Sequence, residues 1–192
     1  LGRQQPVDSA FMGLTALNML NTKYILYDLN SPPIQNPQAW GNAWFSPRYR
    51  IVADADEEIR ELDQVTTRES VVIDKRFASH IEGKSFSNDS TATIILTQYQ
   101  PNYLKYNYKS DSEQLTVFSE IYYADGWKAF VDGKETPHFR ANYILRAMVL
   151  PAGEHTVEFR FHPAAFYTGN KVSLAGSLLL LATIAGYFFI AY

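Results

Sequence analysis

The chain has 192 residues, with 17 Lys plus Arg against 20 Asp plus Glu for a net charge of −3, no cysteine, and 13 Tyr, 12 Phe and 3 Trp. A mildly acidic balance with no basic stripe argues against nucleic acid as a partner, because a phosphate backbone has to be neutralised by clustered Lys and Arg. Without cysteine there is no disulfide framework and no thiolate metal site, although this does not fix the compartment.

In chain order, Phe11 to Asn21 is expected to be a helix. Phe11, Leu14, Ala16, Leu17, Met19 and Leu20 recur at three- and four-residue spacing, and Asp8 or Ser9 can act as N-cap. Lys23 to Tyr27 then has strand composition. From Asn30 to Pro47, Pro32, Pro33, Pro37 and Pro47 argue against regular structure. Trp40, Trp44 and Phe45 give this loop unusual aromatic weight, so it either plugs a core or forms a binding surface. A second short helix is expected over Asp56 to Leu62, capped by Asp54 or Asp56, and strand patterning begins after Ser70.

From Thr91 onward the period is two. Thr91 to Tyr99 and Tyr103 to Lys109 flank Gln100-Pro101-Asn102 as a hairpin. Leu115, Val117, Ser119 and Ile121 share one side of the next strand, which ends at the Ala124-Asp125-Gly126 turn. Trp127 to Val131 leads into Asp132-Gly133, whose residues suit the positive φ of a type I′ turn, and Glu135 to Phe139 is expected to run back from it. Tyr143 to Leu150 reads as a buried strand interrupted only by Arg146, followed by a strand carrying Val157, Phe159 and Phe161. Strands at short intervals without intervening helices indicate an antiparallel sandwich rather than a parallel sheet.

The run from Val172 to Tyr192 contains no charge. About 20 apolar residues at 1.5 Å each cross a hydrocarbon layer of roughly 30 Å. A buried core helix is the competing reading, but this run lacks a polar stripe. All 20 acidic and all 17 basic residues precede it, so the preceding part is water-compatible. The expected organisation is mainly β with short N-terminal helices (α+β). Residues 1–65 form a helix, strand and loop segment packing on an antiparallel β-sandwich of residues 66–170, and residues 171–192 form a transmembrane helix. With Leu1 at its start and an apolar run at its end, the chain is expected to be a fragment of a longer protein.

Catalytic chemistry has little to stand on. Glu120, Asp125 and Asp132 are close in sequence, and a glycosidic carboxylate pair needs a separation of about 5 to 9.5 Å, yet Asp125 and Asp132 occupy positions that turns demand. His80, His138, His155 and His162 show no ligand spacing, and neither a nucleophile elbow nor a Gly-rich phosphate loop occurs. No catalytic residue, metal ligand or cofactor is therefore assigned. Arg146 within an apolar strand implies either a phosphate or carboxylate ligand or an internal salt bridge, for example with Glu120. The candidate carbohydrate-binding set is Trp40, Trp44, Tyr122, Tyr123, Trp127 and Arg146, against the alternative that these rings fill the core and pair across strands.

The segments LNMLNTKYIL (17–26), GNAWF (41–45), SEIYYADGWKAFVDGK (119–134) and ANYILRAMVLPAGEHTVEFRFHP (141–163), with the apolar span behind them, resemble the C-terminal portion of the YfhO family of bacterial membrane proteins. The resemblance implies a large polytopic protein, similar in outline to membrane glycosyltransferases that take sugar from a polyprenyl-phosphate carrier, with members implicated in glycosylating teichoic-acid-type envelope polymers. It implies an extracytoplasmic accessory domain plus a membrane span in the bacterial cytoplasmic membrane, with the catalytic carboxylate in an early loop outside this segment. Membrane lipid, a polyprenyl-phosphate sugar, an envelope glycopolymer and the remaining spans of the same protein are the implied partners. Arg160 and Lys171, just before the span, taken alone favour a cytoplasmic domain slightly, so the extracytoplasmic expectation rests on the resemblance. The alternative is a non-enzymatic carbohydrate-binding or structural module of the envelope, anchored by one helix.

Overall fold

The architecture follows from where strand alternation holds and where it breaks. The structure, a computed structural model, describes residues 13–191. Its elements in chain order are α1 (Thr15–Met19), β1 (Tyr24–Ile25), β2 (Ile34–Gln35), β3 (Ala43–Phe45), β4 (Arg48–Val52), α2 (Ala55–Glu61), β5 (Ser70–Asp74), β6 (Thr93–Gln100), β7 (Tyr103–Ser110), β8 (Gln114–Ile121), β9 (Trp127–Val131), β10 (Lys134–Thr136), β11 (Phe139–Ala141), β12 (Leu145–Leu150), β13 (Gly153–Phe161) and α3 (Ala164–Ala191). Short 3₁₀ turns follow α2 and β5.

In β13, Val157 and Phe159 are buried while Arg160 is exposed, as expected for a strand with one face on a core. β8 and β12 instead bury consecutive residues, Gln114 to Phe118 and Leu145 to Met148. Such strands must be covered on both faces. They lie in a four-stranded sheet of order β11-β12-β8-β3, and one of its faces packs on a five-stranded sheet of order β10-β9-β13-β7-β6. Tyr106, Phe118, Met148, Val157 and Phe159 fill this first interface. The opposite face meets the N-terminal layer, where Trp40, Val52, Val71 and Ile73 pack on Trp44 of β3 and on Leu115, Val117, Phe139 and Leu145. All pairings in the two large sheets are antiparallel, so the sandwich is as expected, with a third layer on one side.

The N-terminal layer departs from the sequence reading in detail. Of the helix expected over Phe11 to Asn21, Thr15–Met19 is observed, and residues up to 12 lie outside the described region. The Pro-rich loop contains two short strands, β2 and β3, because the prolines stand beside them rather than within them. β4 and β5 pair in parallel, with α2 as the crossover between them. α2 is capped as expected, with the Asp54 carboxylate accepting from the Glu57 amide at 2.9 Å and Glu57 accepting from the Ala53 amide at 2.7 Å.

Asn142 ties this layer to the sandwich. In the left-handed region at φ 46°, its side-chain oxygen accepts from the Val72 amide at 2.9 Å, and its own amide donates to the Val72 carbonyl at 2.8 Å. Expected as one return strand, Glu135 to Phe139 is instead split at Pro137-His138, so that β10 stays in the five-stranded sheet and β11 enters the four-stranded one. Proline has no amide to continue the ladder, and the chain changes sheets there. The Asp132-Gly133 turn is as expected, with φ of 50° and 79°.

α3 has 28 residues, about 42 Å at 1.5 Å per residue, and none is buried against the other described residues. It starts well before the uncharged run, so its first two turns carry Tyr167, Asn170 and Lys171. An apolar helix of this length covered by no protein is suited to lipid.

Candidate functional site

Strand register brings four of the six predicted aromatic and basic residues to one end of the sandwich, where α3 begins. Phe161 of β13 pairs with Trp127 of β9, its amide donates to the Asn102 carbonyl at 2.9 Å, and the His162 amide donates to the Gly126 carbonyl at 2.8 Å. Leu145 of β12 pairs with Ile121 of β8, which runs on into Tyr122 and Tyr123. An open groove of about 720 Å³ forms at this helix root, lined by Tyr123, Asp125, Gly126, Trp127, Phe161 and Phe166 among others. Trp127 and Phe161 stand 5.2 Å apart between ring centres, with Tyr123 6.4 Å from Phe161 on the other side. Gly126 is needed for close approach here, since a Cβ at that position would overlap the Phe161 ring.

Behind the groove lies Arg146. It is 2% exposed, and its guanidinium carbon is 4.1 Å from the centre of the Trp127 ring and 5.1 Å from that of Phe159. Its Nε donates to the Ile121 carbonyl at 2.9 Å, while Nη1 is buried with no hydrogen-bond partner. The expected salt bridge with Glu120 is not formed. Glu120 acts on Arg146 through space, and the aromatic faces provide the closer compensation for the buried cation. Burial pushes the Arg146 guanidinium down to about 10, against the opposing pull of Glu120. Burial likewise raises the Glu120 carboxyl, with Arg146 acting in the opposite direction.

The polar lining continues inward. His138 packs against Tyr122 and Phe159 at 5.5 and 5.7 Å, its Nε2 has no partner, and burial pushes its imidazole down to about 4 with further help from Arg146. The Tyr106 hydroxyl is also buried without a partner, and burial raises its phenol strongly. This end of the sandwich core is therefore cationic and aromatic, with hydrogen-bonding capacity unfilled within the chain.

Trp40 and Trp44 lie elsewhere. They meet edge to face at 5.2 Å where the N-terminal layer packs on the four-stranded sheet and are 8% and 4% exposed. Between Pro37, Arg68 and Ile94 they border a separate shallow groove, to which so little of either ring is available that stacking on a ligand would need rearrangement. Asp132 is occupied by structure, accepting from the Thr156 amide at 2.8 Å and contacting His155 Nδ1 at 2.6 Å. In the sequence Phe161 and Gly126 read only as strand and turn positions, His138 only as a histidine without ligand spacing, and Phe166 was not singled out. Phe161 reads as an ordinary core position of an alternating strand, and only its place at the strand end before Pro163 hints otherwise.

Comparison with family models matches residues 84–173 to the bacterial membrane protein YfhO. The chain carries a YfhO-family portion. The match runs from the loop before β6 through the first turns of α3, so it contains both large sheets apart from β3, together with the whole helix-root groove. It agrees with the lipid-suited character of α3, and the two together support membrane association. Searches of curated proteins and of solved structures returned no match.

Proposed function

We propose that this YfhO-family segment is the extracytoplasmic accessory domain and a membrane span of a polytopic glycosyltransferase-like protein, and that its helix-root groove receives the sugar end of a polyprenyl-phosphate-linked donor. The observation that carries this reading is the Trp127–Arg146 pair at the foot of an apolar helix. An aromatic wall gives a sugar ring a face to stack on, the buried cation behind it favours an anionic ligand, and the site lies at the root of a helix suited to lipid, while the spans that hold the carrier lie outside this segment. The reacting groups are assigned to the membrane part outside this segment, and the envelope glycopolymer is the acceptor.

A second reading is a carbohydrate-binding module without transferase chemistry; the structural use of Asp132 is compatible with both readings, since neither places acid-base work in this segment. Both readings place sugar at Trp127. Binding of a polyprenyl-phosphate sugar to the protein in lipid nanodiscs tests that shared claim, and sugar transfer by the full-length protein separates the two.

A further inference from the structure

We infer that the β1–β2 hairpin is a second membrane contact, inserting its apolar tip into the lipid interface beside α3; this rests on the membrane placement of α3 and not on the glycosyltransferase reading. Between Ile25 and Ile34 the tip exposes Leu26, Tyr27 and Leu29, at 56%, 68% and 89%. Large apolar groups this open to water are costly unless something covers them.

The base of the hairpin fixes its location. Ser119 Oγ lies 2.8 Å from the Met19 carbonyl and 2.6 Å from the Gly41 carbonyl, its single proton serving one of them at a time, while Asn36 Nδ2 donates to Asn18 Oδ1 and the Thr22 carbonyl, both at 2.8 Å. Ser119 lies two residues before Ile121, at the end of β8 that leads into the helix-root groove. The hairpin and α3 therefore leave the sandwich at the same end. That end also exposes Tyr99, Ile121, Tyr123 and Ile144 at the ends of β6, β8 and β12. Tyr24, on β1 of the hairpin itself, is exposed as well, whereas the other large apolar residues exposed before α3 among the described residues, Leu14, Leu20, Ile51, Ile59 and Ile95, lie outside the hairpin and these strand ends. The opposite end is polar, turning through Asp111, Ser112 and Glu113 and through Ala152 to Glu154.

Charge favours a lipid surface over a charged partner. Between Leu20 and Asn36 the only charged residues are Lys23 and Asp28, which cancel. The Asp28 carboxylate is used within the turn, accepting from the Asn30 amide at 3.1 Å and the Ser31 hydroxyl at 2.9 Å. What the tip offers is tyrosine and leucine, the composition that settles at the boundary between headgroups and acyl chains, roughly 5–10 Å deep. Insertion driven by apolar burial should be insensitive to salt and to anionic lipid.

The chain has no cysteine, so one label can be placed cleanly. Leu29→Cys carrying an environment-sensitive fluorophore is reconstituted in phosphatidylcholine vesicles with and without phosphatidylglycerol, and Ala152→Cys at the polar end serves as the control. The expected result is blue-shifted emission at position 29, quenched by shallow nitroxide lipids and equal in both vesicle types, with water-like emission at position 152. Water-like emission at position 29 overturns the inference. A blue shift that nitroxide lipids do not quench overturns it too, and shows instead that protein covers the tip.

Discussion

The guanidinium of Arg146 lies 4.1 Å from the centre of the Trp127 ring, buried, holding one hydrogen bond to the Ile121 carbonyl and no ion pair. Its substitutions therefore separate packing from ligand binding. Arg146→Ala should cost about 2–5 kcal/mol by leaving a cavity under Trp127. Arg146→Met fills most of that volume and removes a desolvated charge, so it should cost only about 1 kcal/mol, the size of the lost hydrogen bond. Urea unfolding of the two variants in detergent checks the contrast, and equal losses would show that the cation itself holds this part of the fold together.

The sandwich was legible in the sequence because strands with one face on a core alternate, and the turns between them carry their own chemistry. Asp132-Gly133 is the clearest case. The third layer was not legible, since continuous burial of Gln114 to Phe118 signals two covered faces without saying what covers the second. Parallel pairing of β4 and β5 was hidden for a similar reason, with strands of only five residues and a crossover whose helix has only seven. At the candidate site, Trp127 and Arg146 stood out as an aromatic after a turn and a charge in an apolar strand. Their contact depends on register across β12, β8, β9 and β13, which no local pattern encodes. Trp40 and Trp44 attracted the same attention and proved to be core, because aromatic weight alone does not distinguish a plug from a platform.

The N-terminal layer is locked on by a buried ion pair. Glu58 is fully buried, its Oε2 accepts from Arg140 at 2.6 Å, and its Oε1 accepts from the Tyr143 amide at 2.9 Å, which holds the left-handed turn at Asn142 and Tyr143. Removing Glu58 leaves Arg140 only its longer 3.4 Å contact to Asp74 and leaves the Tyr143 amide without its acceptor, so Glu58→Ala should destabilise by about 3 kcal/mol. Thermal unfolding followed by near-ultraviolet circular dichroism reads the loss, and a shift no larger than that of an exposed-site variant such as Glu82→Ala would remove Glu58 from this role.

Acid should weaken the groove end of the core through His138. Its imidazole is held down to about 4 from an ordinary 6.5, so the unfolded chain takes up a proton first. The resulting stability is fully present above about pH 6.5 and is lost as pH falls toward about 4, at no more than about 1.4 kcal/mol per pH unit. His155 has the opposite sign. Its imidazole is raised by the Ala152 carbonyl and by Asp132, so its contribution is present below about pH 6.5 and is lost as pH rises through its folded value. Urea midpoints at about pH 7 and about pH 5 should therefore differ more for the unaltered protein than for His138→Gln. An unchanged difference would place the acid sensitivity elsewhere.

The helix-root groove as the place where a lipid-linked sugar rests is tested most directly by equilibrium binding of a polyprenyl-phosphate sugar to the protein in nanodiscs, comparing it with Trp127→Ala and with Trp44→Ala as the buried-ring control. Loss of the Trp127 face should weaken binding by at least about tenfold, about 1.4 kcal/mol, with Trp44→Ala retaining affinity in whatever fraction remains folded. Equal affinity for the unaltered protein and folded Trp127→Ala would contradict the assignment.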